Sequence, residues 1–246
     1  MSSNIQITPA QLSRLVGLPD APVLIDVRID EDVAADPRLL PASERRSHRD
    51  VAAWLRHAGV EAENLVGGFE AWREAGGLLV ETGKLPPRDA AGRTLWVTRA
   101  RPKVDRIACP WLIRRFVDRH AVFLFVSASE VADVADRFGA TAFDIDGVFW
   151  SHRGERCSFD TMIEEFGLAS PPLDQLATIV RAADTARLDL VPQAAGFLAV
   201  SLGLSRMYRD DLAQLEAGML LYDAFYRWCR DASEETHNWP SAPVKT

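Results

Sequence analysis

The chain is poor in cysteine. Its 246 residues include three, Cys109, Cys157 and Cys229. An odd, sparse set with no CxxC pair excludes a disulfide framework and a structural zinc site. A reducing cytoplasm is the expected compartment. No run of about 18 apolar residues is present, so no membrane insertion is expected. Met1 to Gln6 shows no basic region followed by an apolar stretch, so no secretory signal is expected. No GxGxxG follows a strand and no Walker loop occurs, which leaves no dinucleotide or nucleotide-phosphate signature. Basic residues are also in deficit: 28 Lys and Arg stand against 35 Asp and Glu, for a net charge of −7. A nucleic-acid binder needs a broad basic surface, because phosphate neutralisation supplies most of its affinity, so no nucleic acid is expected as a partner. The hydrophobic fraction, 48%, is ordinary for a globular protein with a real core.

Residues 81–93 are polar, carry Pro86-Pro87 and two glycines, and lack periodicity. They read as a linker between two domains, 1–82 and 93–237. In the first, Thr8-Pro9 opens a helix with a cap and a first-turn proline. Val23 to Arg28 reads as a strand, Arg49 to Ala58 as a helix, and Asn64 to Trp72 as a short strand, glycine turn and helix. Leu24-Ile-Asp26-Val-Arg28 and Leu65-Val-Gly67-Gly68-Phe69-Glu-Ala-Trp72 resemble a rhodanese-like domain. That resemblance implies an α/β module carrying sulfur on a loop cysteine. No cysteine precedes Cys109, and the spacing between the motifs is short. A persulfide needs a thiolate, so a degenerate module is expected, serving as a docking, dimerising or vestigial part. Arg45, Arg46 and His48 are a candidate anion-binding loop, against the simpler reading of a solvated turn.

The second half opens with Leu95 to Arg99 as a strand. A loop follows, and Arg99, Arg101, Lys103 and Arg106 lie within eight positions. A helix is expected to begin with Cys109 near its cap and Pro110 in its first turn. A strand, a cationic loop and a helix N-terminus make a site for a small anion, since helix ends offer unpaired N–H groups and arginines offer forked donors. The competing reading is a solvated, ion-paired surface. Ala121 to Val126 reads as a central strand covered on both faces, and Ser129 to Phe138 as a helix stopped by Gly139. Asp146-Gly147 signals a two-residue hairpin that would put Phe143, Ile145, Val148, Trp150 and His152 on one face. His152 then reads as a core histidine or as a group at a pocket rim.

Two acids fall on apolar helix stripes. Asp184 extends the stripe of Leu173, Leu176, Ala177 and Val180, with Arg187 one turn beyond. Asp223 lies beside Met219 and Tyr222 on the stripe of Leu212, Leu215 and Tyr226. A buried carboxylate needs a partner, and the loop cations are the expected ones. The alternative joins Asp105, His152 and Asp184 in a divalent-metal or proton-transfer site. Cys157 adds a soft ligand at a spacing that matches no standard motif.

Trp96-Val-Thr-Arg99-Ala-Arg-Pro-Lys103-Val-Asp105-Arg106-Ile-Ala-Cys109-Pro-Trp-Leu-Ile, Phe143-Asp-Ile, Ser151-His152, Cys157-Ser-Phe-Asp160, Arg181-Ala-Ala-Asp184 and Leu221-Tyr-Asp223-Ala-Phe-Tyr resemble the C-terminal domain of the chromate-resistance family ChrB. The resemblance spans about residues 93–235. It implies a role in bacterial chromate resistance, with Arg99, Arg106 and His152 as chromate-responsive positions. ChrB regulators carry an N-terminal DNA-binding part, and this chain has the rhodanese-like motifs there. Oxyanion handling is therefore the expectation, without transcriptional control.

The fold class expected is α/β: a rhodanese-like module, then a small sheet with a helix-rich end. Three functional readings follow. The first is a binding module for chromate or a similar oxyanion, with Asp105, Cys109, Asp184, Arg187 and Asp223 in support of Arg99, Arg101, Lys103, Arg106 and His152. A metal- or thiol-dependent enzyme detoxifying chromate or its oxidative by-products is the second. In the third, the loop cations are consumed internally.

Overall fold

A computed structural model describes residues 5–46 and 51–235. The elements run β1 (Gln6–Ile7), α1 (Pro9–Ser13), β2 (Ile25–Asp26), α2 (Asp30–Ala35), β3 (Glu44–Arg45), α3 (Val51–His57), β4 (Asn64–Leu65) and α4 (Gly68–Glu74) in the first part. The second part holds β5 (Leu95–Arg99), α5 (Asp105–Leu112), a π-helical turn (Ile113–Val117), β6 (Val122–Val126), α6 (Val131–Phe138), β7 (Thr141–Ala142), α7 (Ser158–Glu165), α8 (Pro171–Asp184), α9 (Ala194–Met207) and α10 (Asp211–Asp231). The α/β class expected from the sequence is found. None of the described helices is long and apolar enough to cross a membrane. His48, with the rest of 47–50, lies outside the described residues.

Local chemistry sets several boundaries. Thr8 and Gln11 close a capping box over α1, with Pro9 in its first turn. Gly139 ends α6 in the left-handed region, and the start of α6 falls after Glu130, whose carboxylate takes the Ser127 N–H and hydroxyl, rather than at Ser129. Asp210 caps α10 through the Ala213 N–H. In the first part β1 pairs with β4 and β2 with β3, both parallel and two residues long.

The three-stranded parallel sheet has the order β6-β5-β7. The central strand is therefore β5; Ala121 to Val126, expected in that place, supplies the edge strand β6. The reason lies in β5 itself, where Trp96 and Val97 are both fully buried on opposite faces. Val97 packs under α6 with Val131 and Ala140. Trp96 faces the main core, edge-on to Phe143, Trp150 and Phe166. That same cluster contains Leu12, Val16, Phe69, Trp72 and Val80 from the first part together with Trp111, Phe116, Leu173 and Tyr226 from the second. Residues 81–93 carry no helix or strand, and Lys84 pairs with Glu165 while Arg88 reaches Asp118 at 3.4 Å.

Two local expectations fail for packing reasons. The helix expected to start near Cys109 starts at Asp105, so Pro110 sits inside it. Proline cannot donate to the carbonyl four residues back, and the π-helical turn follows directly. The Asp146-Gly147 turn is present, with Gly147 at φ 79°, yet no hairpin closes around it. Phe143 and Trp150 meet instead through a single parallel bridge. Trp150 stacks on Phe166 at 4.6 Å, while Ile145 packs with the cluster under α6. Of the five residues expected on one face, Phe143 and Trp150 join the main core, Ile145 joins the cluster under α6, and His152 lies outside both. Finally, α10 crosses α5 at Gly218, where a Cβ would meet Ile107 Cγ2 at 2.7 Å. This close approach ties the segment around Asp105 to the C-terminal helix.

Candidate functional site

The loop before α5 is clamped from one side. Tyr222 donates its hydroxyl to the Val104 carbonyl at 2.6 Å, and Gln214 Nε2 donates to the Pro102 carbonyl at 2.5 Å. Val104 is held at φ 26°, which is unfavourable for a β-branched residue and persists only when surroundings impose it. The clamp sets Asp105 as the first residue of α5, fully buried.

Asp105 lies against the start of α7. Its Oδ2 accepts the Ser158 N–H at 2.6 Å, and its Oδ1 the Phe159 N–H at 3.4 Å. These N–H groups lack intrahelical partners, so a carboxylate is well placed there. Asp144 follows β7 with φ 51°, and its Oδ1 accepts the Ser158 hydroxyl at 2.8 Å. Asp184 is the last residue of α8. Asp160 holds α7 and α8 together: it accepts the Cys157 N–H at 3.0 Å and Arg181 Nη1 at 2.6 Å.

His152 Nε2 sits among the three acids. It lies 3.4 Å from Asp105 Oδ2, 3.3 Å from Asp144 Oδ1 and 3.2 Å from Asp184 Oδ2. Hydrogen bonds to Asp105, Asp144 and Asp184 raise its pKa to about 12, which keeps the imidazolium charged at neutral pH. Burial raises Asp105 to about 7, and the charges of Asp184 and Asp144 add to that, against the opposing pull of His152. Asp144 also meets two arginines. Arg106 Nε is 3.3 Å from Asp144 Oδ2, and an Arg99 Nη2 is 3.8 Å from it. Arg106 Nη1 additionally donates to the carbonyls of Arg99 and Ala100. Burial lowers the Arg106 pKa, though not enough to discharge a guanidinium.

Arg99, Arg106, His152, Asp105 and Asp184 are thus brought together. The other expected members are elsewhere. Arg101 turns away and donates to the carbonyls of Ser205, Tyr208 and Arg209 at the end of α9, so the exposed carbonyls of that helix consume its charge. Lys103 is exposed on a shallow groove with Ile107, Leu204 and Gln214, and no carboxylate among the described residues pairs with it. Arg187 lies beyond α8 and faces Glu155 at 3.7 Å and Asp189 at 3.6 Å. Cys109 is inside α5 and Cys157 caps α7, both buried, and burial pushes both thiols well above their ordinary range. Asp223 pairs with Arg115 and Trp111 in the core. Neither Asp184 nor Asp223 orients the loop cations, because His152 and Arg115 are nearer. Arg45 pairs with Asp30 and Arg46 with Glu44.

Sequence reasoning assigned no role to Asp144, the carboxylate that joins Arg99, Arg106 and His152. Its signal was position: an acid directly after a short apolar strand, where the C-terminal edge of a parallel sheet collects functional groups. Ser158, the hydroxyl that ties Asp144 to α7, carried no such signal.

Comparison with known proteins gives a consistent family. The profile described as "ChrB, C-terminal domain" matches residues 96–229. Protein ChrB of Cupriavidus metallidurans is 39% identical over 149 residues, covering 58% of this chain and 44% of that protein. The match thus spans less than half the length of that relative. No solved structure matches. The matched segment runs from β5 into the last turn of α10 and includes every residue of the Asp105–Asp144–His152–Asp184 cluster, and by this match over more than half its length the chain belongs to the ChrB C-terminal domain family.

Proposed function

We propose that this protein acts in chromate resistance by capturing chromate, or a related tetrahedral oxyanion, at the Arg99–Arg106–His152 cluster. The observation that carries this reading is the convergence of those three cationic groups on Asp144 from β5, α5 and the segment before α7. Each keeps donors in reserve. Arg106 Nη2, Arg99 Nε and Nη1, and His152 Nδ1 make no hydrogen bond among the described residues. Guanidinium forks and an imidazolium suit a tetrahedral dianion. The cluster holds one net positive charge when Asp105 is protonated and none when it is ionised.

A second reading has its own observation. Asp105, His152 and Asp184 each offer a ligand atom, all within 4.8 Å of one another. The 3.2 and 3.4 Å separations from His152 Nε2 match the edge of a tetrahedron, about 3.3 Å, for ligands 2.0–2.1 Å from a divalent ion. A metal held there would polarise an oxyanion oxygen. A thiol-dependent version has no support, since Cys109 and Cys157 are buried and protonated.

Calorimetric titration with chromate and with sulfate, with and without a chelator, tests both readings, alongside elemental analysis. Oxyanion capture predicts affinity that falls about 10- to 100-fold in Arg106→Ala, as for a lost charged hydrogen-bonding group, and that ignores the chelator. Stoichiometric metal that vanishes in His152→Ala, with binding abolished by the chelator, would transfer the function to the metal centre. We read residues 1–82 as a degenerate rhodanese-like module that docks a protein partner. The left-handed Gly67 and Gly68 at the start of α4 and the short parallel strand pairs support the rhodanese-like part of that reading, and cross-linking of the full chain in cell extract, with the linked residues located by mass spectrometry, tests the docking part: links that avoid residues 1–82 would refute it.

A further inference from the structure

A cavity of about 190 Å³ lies at the seam between residues 12–24 and 41–42 on one side and the π-helical turn after α5 on the other. Its walls are of two kinds. Leu18, Pro19, Pro22 and Leu24 make an apolar side, and Arg114, Arg115 and Arg119 face them. Pro19 and Pro22 are exposed, so the mouth reaches solvent. Gly17 permits the approach of the N-terminal wall: at φ 79°, a Cβ there would collide with the Phe116 ring.

The three arginines are not equivalent. Arg115 is spent on Asp223 by two hydrogen bonds, and Arg114 on Glu216 at 2.5 Å. Arg119 has no carboxylate partner among the described residues. Its Nη2 reaches only the Ala21 carbonyl, at 3.4 Å, and its Nη1 is buried without any hydrogen-bond partner. A buried, charged donor left unmade is costly. Arg119 is therefore the arginine of this wall whose charge no carboxylate among the described residues neutralises.

We propose that this cavity is a second ligand site, which takes a small organic carboxylate through Arg119. The volume and the walls define the class. An apolar cavity of about 150 Å³ holds a benzene ring, so this one accommodates a ring or short branched chain plus a carboxylate. The anionic end meets the Arg119 guanidinium, and the apolar body lies on the leucine and proline wall. The site is separate from the oxyanion cluster. Asp105 and the π-helical turn are at opposite ends of one helical run, roughly 12 to 18 Å apart at 1.5 Å per residue.

Calorimetry of the full chain with benzoate tests the proposal. Saturable one-to-one binding is expected, falling at least tenfold in Arg119→Met and in Ala21→Phe, which fills the cavity from its rim without removing the guanidinium. Sulfate titration of the same variants checks that the first site survives. Two results would overturn the proposal: no saturable benzoate binding by the wild-type chain, or undiminished binding in either folded variant. In the first case, sulfate affinity that falls in Arg119→Met would leave the apolar wall without a role.

Discussion

Removing Asp223 separates its structural role from a role at the oxyanion cluster. The carboxylate is buried and accepts three hydrogen bonds of 2.8 Å, from Trp111 Nε1, Arg115 Nε and Arg115 Nη2. Truncation to alanine leaves a fully buried indole N–H and a guanidinium without partners. Breaking a buried ion pair costs about 3–5 kcal/mol. The Arg115 side chain keeps 19% of its exposure and lines the solvent-connected cavity, so water reaches it and the lower end applies, about 3 kcal/mol. A chain of this size loses about 2–4 °C of melting temperature per kcal/mol, which gives a fall of about 6–12 °C for Asp223→Ala. Asp223→Asn keeps an acceptor for Trp111 and loses the charge for Arg115, so a smaller loss of about 1–2 kcal/mol is expected. Urea unfolding followed by tryptophan fluorescence gives both values, and sulfate calorimetry on the folded variants completes the assay. Unchanged stability in Asp223→Ala, or normal stability with lost sulfate binding, would refute the assignment and return Asp223 to the loop cations.

Arg101→Ala should lower stability by about 1–2 kcal/mol through the unsatisfied carbonyls at the end of α9, with sulfate affinity unchanged; a large affinity loss in calorimetry would return Arg101 to the site. Sulfate, a dianion throughout pH 6–8, should bind more weakly as pH rises through about 7, because ionisation of Asp105, whose pKa burial raises, removes the site's net positive charge. Calorimetry across that range reads the slope, and in Asp105→Asn it should be flat. A thiol reagent should react only slowly with the native protein and with all three cysteines after unfolding, since burial raises Cys109, Cys157 and Cys229 alike and the thiolate is the reactive form; fast stoichiometric labelling in the native state would contradict the buried placement.

What the sequence determined by itself was local or periodic. The stripe of α8 was legible, with Leu173, Leu176 and Val180 fully buried. So were the Thr8-Pro9 start of α1 and the glycine stop of α6, because caps and left-handed positions depend on a few neighbouring residues. Five members of the candidate cluster were also singled out, as charges at the end of a strand, in a cationic loop or on an apolar stripe, although the loop was expected to run on to Cys109 and α5 begins at Asp105. What only the tertiary structure decided was pairing. Arg101 and Arg106 are five positions apart in the sequence, yet one ends on the carbonyls of α9 and the other on Asp144. Asp223 and Asp184 looked alike on their stripes, but Arg115 claims the first and His152 the second. Pro110 read as a helix start because its cost inside a helix is local, whereas the packing of Trp111 against Phe116, Tyr222 and Tyr226 that holds the helix through it is not. Periodicity reports which face is buried. Which cation meets which acid depends on how α5, α7, α8 and α10 cross, and that is set by the volume of the core between them.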